Sequence, residues 1–204
     1  MAIFKRNGKK LEYDQSQDLF LEKLYGSLAG RCLLKVLTQP VITQLGGAFM
    51  NSPLSKGQIK SFVEKNHIDL NLYESKDYHS YNDFFTRTIK DGVRHIDMDE
   101  NALIAPCDSK LTVYPIEDTL QLKIKNSVYT IEDLLMSPAL ADEYRGGLCL
   151  VFRLTVDDYH HYHFIDDGTA DKDHFIKGVF HTVNPIASDY YPIYKTNSRS
   201  YTVL

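Results

Sequence analysis

Between Leu148 and Val156 the chain places an apolar side chain at every second position: Leu148, Leu150, Phe152, Leu154 and Val156. That period puts all five on one face of an extended strand and scatters them around a helix. Directly after it comes Asp157-Asp158-Tyr159-His160-His161-Tyr162-His163, which holds three of the eight histidines. A strand that runs straight into such a cluster constrains both the fold and the chemistry. Groups titrating near neutral pH are gathered where a strand leaves its sheet.

Other segments supply partners for that strand. Leu111 to Ile116, Gln121 to Lys125 and Phe175 to Val183 are further strand candidates, with a turn at Asp166-Asp167-Gly168. Helical spacing dominates before them. Leu19, Phe20, Leu24, Leu28, Leu33, Leu34 and Leu37 recur at helical intervals from Asp18 onward, and Pro40 ends or bends the stretch before Val41 to Phe49. Ser55 is placed to cap a helix running to Asn66. Ser80 with Asp83, and Thr130 with Asp133, resemble capping boxes. The predicted fold class is therefore α+β: an N-terminal helical region over residues 1–75, followed by an incomplete, mostly antiparallel β domain over 76–204.

Bulk properties narrow the function classes. With 43% hydrophobic and 25% charged residues, the 204-residue chain is no disordered segment. A net charge of −4 argues against a general nucleic-acid binder. Lys5, Arg6, Lys9, Lys10, Lys23, Arg31 and Lys35 nevertheless concentrate positive charge near the start, beside apolar residues, which suits an anionic lipid surface. The helical stretch reads either as a hairpin packed on the domain or as a pair lying in a membrane interface. No apolar run reaches the roughly 18 to 20 residues that span a bilayer. The polar segment Lys5 to Tyr13 is unlike a signal peptide. Cys32, Cys107 and Cys149 form neither a disulfide framework nor a CxxC pair, and suit a reducing compartment.

Spacing leaves the histidine cluster open among three roles. His161 and His163 on one strand face could ligate a metal with a carboxylate. If Asp157-Asp158 bends the chain, His160 and His163 could converge for acid–base work. The run could also be an ordinary exposed edge. Asp108, in Ile104-Ala105-Pro106-Cys107-Asp108-Ser109, is either a turn former or a carboxylate able to orient a histidine from elsewhere. Ser109 sits in no nucleophile elbow, and Cys107 reads more readily as packing than as a reactive thiol.

Taken in order, several stretches resemble the phosphatidylserine decarboxylase family: YNDFFTRTIKDGVRHID (Tyr81 to Asp97), LIAPCDS (Leu103 to Ser109), KIKNSVYTIEDLL (Lys123 to Leu135), FRLTVDDYHHYHFIDDG (Phe152 to Gly168), GVFHTVNPIA (Gly178 to Ala187) and TNSRSYTVL (Thr196 to Leu204). The Asp-Tyr-His-x-x-His element is the most diagnostic. The resemblance implies a proenzyme that cuts itself before a serine, which becomes a pyruvoyl cofactor. That group forms a Schiff base with phosphatidylserine and accepts electrons as carbon dioxide leaves, giving phosphatidylethanolamine. By the same resemblance the catalytic residues are Asp108 and His163, in a relay with the serine for self-cleavage, and His160 in decarboxylation. No metal is implied.

The family's Gly-Ser-Thr motif does not occur here. The only Gly-Ser pair, Gly26-Ser27, lies out of order in the helical region. The expectation is a chain truncated before the motif, inactive alone, whose partners are phosphatidylserine, an anionic membrane surface and a missing C-terminal pyruvoyl-bearing segment. The expected location is peripheral, on the cytoplasmic face of the cell membrane, with room for a homodimer and no nucleic acid. Two smaller departures are Ser109, where glycine is common, and His161, where arginine is common. The alternatives are a non-catalytic lipid-binding relative, a histidine-site metalloenzyme, and a split enzyme whose serine arrives on another chain.

Overall fold

A computed structural model of the chain describes residues 16–117, 119–124, 127–184 and 186–204. The basic cluster Lys5, Arg6, Lys9 and Lys10, and Lys125 at the end of one predicted strand, lie outside the described residues.

The helical half opens with α1 (Ser16–Gly26), α2 (Leu28–Leu37) and α3 (Pro40–Met50). Gly26-Ser27 forms the turn between the first two. The Ser27 hydroxyl caps α2 by accepting from the Gly30 amide at 3.0 Å. Gly30 is buried against α1, where a Cβ would come within 2.1 Å of the Leu24 carbonyl oxygen, so only glycine permits that approach. The helical stretch does break before Pro40: α2 ends at Leu37, Gln39 is extended as a residue before proline tends to be, and Pro40 opens α3, where a helix start has no use for the missing N–H.

Next come a 3-10 segment (Pro53–Gln58), α4 (Ile59–Asn66) and the short α5 (Tyr81–Phe85). Ser55 is not the cap of the helix ending at Asn66, as predicted. It is fully buried, and its hydroxyl accepts from the Tyr81 amide at 2.9 Å, so it serves an orphan donor at the start of α5 across 26 residues of chain. Ser80 caps α5 as predicted, accepting from Asp83 N at 3.1 Å.

Among the described residues the β half has three two-stranded antiparallel sheets: β1 (Lys110–Pro115) with β4 (Leu148–Arg153), β2 (Gln121–Ile124) with β3 (Ser127–Thr130), and β5 (His174–Ile176) with β6 (Arg199–Tyr201). Between them lie α6 (Ile131–Leu135), capped by Thr130 as predicted, α7 (Pro138–Glu143) and α8 (Ile193–Thr196). Helices followed by short antiparallel sheets make the class α+β. Two strands are shorter than their patterns suggest. β4 ends at Arg153, shortly before the chain turns, and of the candidate Phe175 to Val183 only Phe175 and Ile176 pair in a sheet, with His174 added before them.

Among the described residues two apolar clusters hold these pieces. Ile116, Leu122, Tyr129, Ile131 and Ala141 form one, and Leu21, Tyr25, Leu34, Ala187 and Ile193 the other; Tyr194 packs against both. The second cluster joins α1 and α2 to the C-terminal segment. The helical hairpin therefore does pack on the rest of the chain, but with one stripe only. Leu19, Phe20, Leu28, Leu33, Val36, Val41 and Leu45 stay exposed.

Candidate active site

The register Lys110↔Arg153 makes the start of β1 and the end of β4 neighbours. Pro106 to Ser109 and Leu154 to His163 thus leave the sheet at the same end. A third segment, Phe85 to Arg94, packs beside them.

Within the histidine segment, Asp158 builds a turn. Its amide donates to the Thr155 carbonyl oxygen at 2.9 Å, and its carboxylate accepts from the Thr155 amide at 2.6 Å and hydroxyl at 2.8 Å. Lys110 closes the arrangement from β1. Its ammonium lies 2.5 Å from Thr155 Oγ1 and 3.2 Å from Asp158 Oδ2. The predicted bend at Asp157-Asp158 is present, with Asp158 as its agent and Asp157 exposed.

Each imidazole beyond the turn rests on a carbonyl. Because a carbonyl only accepts, the ring nitrogen facing it carries hydrogen. His160 donates from Nε2 to Thr155 O at 2.9 Å, and its ring lies 4.2 Å from that of Phe85. His161 donates from Nε2 to Thr86 O at 3.3 Å and stacks on Tyr159 at 4.5 Å. His163 donates from Nδ1 to Phe164 O at 2.7 Å. Among the described residues the other nitrogens, Nδ1 of His160 and His161 and Nε2 of His163, have no partner. His160 is half-buried, whereas His161 and His163 are exposed.

Asp108 and His163 share no hydrogen bond among the described residues; their segments meet two residues before Asp108. The His163 amide donates to the Pro106 carbonyl oxygen at 3.0 Å. Their side chains hold other partners. Arg94 grips Asp108 in a fork, Nε to Oδ1 at 3.0 Å and Nη2 to Oδ2 at 2.5 Å. That carboxylate holds the Arg94 pKa above its ordinary value. Burial pushes the Cys107 thiol up, which makes it a poor nucleophile, in keeping with packing.

Arg94, Lys110, Thr155 and Asp158 escaped sequence reasoning as site residues. Arg94 and Asp158 stand inside motifs already quoted, but nothing in their spacing assigns them a partner. Lys110 has one legible signal, its place directly after Asp108-Ser109 at a strand start. Arg87 adds a buried charge nearby. It stacks over Tyr73 at 4.3 Å, and its Nη2 donates to the Tyr73 hydroxyl at 3.2 Å, while Nε and Nη1 find no partner among the described residues.

An α+β chain with three imidazoles, each with one nitrogen unpartnered among the described residues, and two ion pairs at one sheet end has the equipment of an acid–base enzyme. Residues 81–204 match the phosphatidylserine decarboxylase family. The chain is 44% identical to phosphatidylserine decarboxylase proenzyme 2 of Clostridium acetobutylicum, over all of its own length and 71% of that protein. It is 35% identical to the proenzyme of Clostridium perfringens strain SM101 over 92% of its length and 65% of that protein, and 37% identical to that of Ruminiclostridium cellulolyticum over 100% and 70%. The chain belongs to the phosphatidylserine decarboxylase family, and so to the carboxy-lyases.

Proposed function

We propose that this chain carries the histidine machinery of a phosphatidylserine decarboxylase, which releases carbon dioxide from phosphatidylserine with the help of a pyruvoyl group. The observation that carries this is the meeting of Pro106–Lys110 with Thr155–His163 at one end of the β1–β4 sheet, inside the span that matches the family.

The residues present suit such a group. His160 and His163 each have one nitrogen tied to a carbonyl and the other unpartnered among the described residues, the state needed to take up and return protons beside a reacting carbonyl. When bound, the pyruvoyl group supplies an electron-withdrawing carbonyl. His160 holds the proton exchanged with substrate at Nδ1, and Phe85 keeps water from one side of its ring. His163 serves self-cleavage from Nε2. For Asp108 to orient it, the His163 Nδ1–H must pass from Phe164 O to the Asp108 carboxylate, which can accept it on a remaining lone pair while Arg94 stays bound. The division at residues 75 and 76 belongs to the same proposal, with the helical part addressing the membrane.

That address is the cytoplasmic face of the cell membrane, peripherally. Its support is the exposed row Leu19, Phe20, Leu33, Val36 and Leu45 beside Lys23 and Lys35. Among the described residues no helix is long and apolar enough to cross a membrane.

The 204-residue polypeptide contains no Gly-Ser-Thr, so alone it should leave phosphatidylserine vesicles unchanged. Combined with a serine-bearing C-terminal segment of a pyruvoyl-forming family member, it should produce phosphatidylethanolamine. Product from the polypeptide alone would overturn the need for an external serine. No product from any such combination, with both partners folded and associated, would overturn the decarboxylase proposal.

A further inference from the structure

Lys110, Thr155 and Asp158 do nothing in the scheme above, yet they form the densest polar cluster of the β1–β4 end. Lys110 and Asp158 are shielded, with side-chain exposures of 27% and 15%. Such a pair is less screened than a surface ion pair and holds its geometry better. Apart from the Lys110–Asp158 ion pair, the bonds in the cluster converge on Thr155. Its amide and hydroxyl reach Asp158, the same hydroxyl reaches Lys110, and its carbonyl oxygen accepts from both the Asp158 amide and His160 Nε2.

We infer that Lys110 and Asp158 are positioning residues that fix the tautomer and orientation of His160 through the Thr155 carbonyl. The physical chain is short. Asp158 and Lys110 immobilise the Thr155 turn, and the turn aims one carbonyl at one imidazole nitrogen. That nitrogen must then carry hydrogen, which leaves Nδ1 as the single site for proton exchange. Phe85 limits rotation of the ring about this bond. An untethered imidazole divides its time between tautomers and rotamers, so only a fraction of molecules would present a nitrogen in the productive place. Lys110 bridges strand and turn, so β1 transmits its rigidity to a loop that carries little regular structure of its own.

The inference rests on the decarboxylase proposal for its purpose, but its test needs no turnover. Long-range proton–nitrogen NMR of the histidine side chains, on the nitrogen-15-labelled 204-residue chain at a pH where imidazoles are neutral, reads the tautomer directly; His160→Asn assigns the signal. In the unmodified chain His160 should show a protonated Nε2 and an unprotonated Nδ1. Lys110→Met and Asp158→Asn should each replace that pattern with the averaged nitrogen shifts of a free imidazole. His67 and His174, on other segments, should keep their signals. Thr155→Val, which removes the hydroxyl and keeps the carbonyl, should also lose the pattern, and Thr155→Ser should retain it. A general loosening of the fold would move all histidines together and would not distinguish valine from serine. Retention of the fixed Nε2–H tautomer in folded Lys110→Met or Asp158→Asn overturns the inference. If neither folds, the Thr155 pair decides, and equal spectra from valine and serine overturn it as well. A lost tautomer lock together with absence of decarboxylation in every reconstituted form would sink the functional proposal and leave the positioning role standing.

Discussion

The β1–β4 and β2–β3 sheets have the same architecture and opposite fates. In β2–β3 the facing pair Leu122 and Tyr129 is sealed, at 1% and 0% exposure, beneath Ile131 and Ala141 of the helices that follow. In β1–β4 the alternation conspicuous in the sequence leads to the other outcome. Leu148, Leu150 and Phe152 face Pro115, Val113 and Leu111, and Leu148, Val113 and Leu111 are 62%, 47% and 51% exposed. Its opposite face, through Tyr114 and Cys149, packs on the Ile116–Tyr129 cluster. A two-stranded ribbon is barely stable alone, so each sheet depends on what covers it. The sealed sheet secures the fold, while the open one carries the histidine segment at its end.

Truncation of the sealed pair should have the largest effect. Leu122→Ala should cost about 2–5 kcal/mol, because it empties a site whose neighbours cannot collapse into it. The open face should barely respond: Val113→Thr should stay within about 0.5 kcal/mol. Denaturant midpoints of both variants check the contrast, and equal losses would abolish it. Ser55→Ala comes next, at about 1–3 kcal/mol, since it strands the Tyr81 amide in a buried place.

The junction between the helical part and the C-terminal segment should show a pH effect. The Tyr25 hydroxyl lies 3.2 Å from His181 Nδ1, and Tyr191 stacks on the same imidazole. Burial holds the His181 pKa below its ordinary value of 6.5. The unfolded chain then binds the proton first as pH falls, so stability is full above that value and declines below it. Thermal melts between neutral and mildly acidic pH should show this decline, flattened in His181→Phe. An unchanged slope in that variant would remove His181 from the account. The smallest effects belong to the exposed helical face. Lys23→Gln or Lys35→Gln should each weaken binding to anionic vesicles by about 1 kcal/mol, roughly fivefold, in co-sedimentation.

Much of the fold was legible in the chain. Local signals survived well: Ser80 and Thr130 cap the helices they precede, and the apolar alternation of β4 is present in the sheet. What failed was any inference needing a distant partner. Ser55 resembles a local cap and serves a helix 26 residues away, because hydrogen-bond demand at a helix start can be met from anywhere in space. The strand pattern likewise shows which residues share a face, without saying which face is covered. The same division runs through the site. Motif order proposes Asp108, His160 and His163, and the paired carboxylates point to the bend found at Asp158. The grip of Arg94 on Asp108 and of Lys110 on the Thr155 turn exists only once β1 and β4 are paired.

The central claim is that His160 and His163 perform different proton-transfer tasks at one end of the β1–β4 sheet. Its most direct test is the chain joined to a serine-bearing C-terminal segment, with self-cleavage followed by gel mobility and decarboxylation by carbon dioxide release. The account predicts that His163→Gln abolishes self-cleavage, whereas His160→Gln cleaves normally and loses nearly all carbon dioxide release. Normal carbon dioxide release from the His160→Gln protein would contradict it.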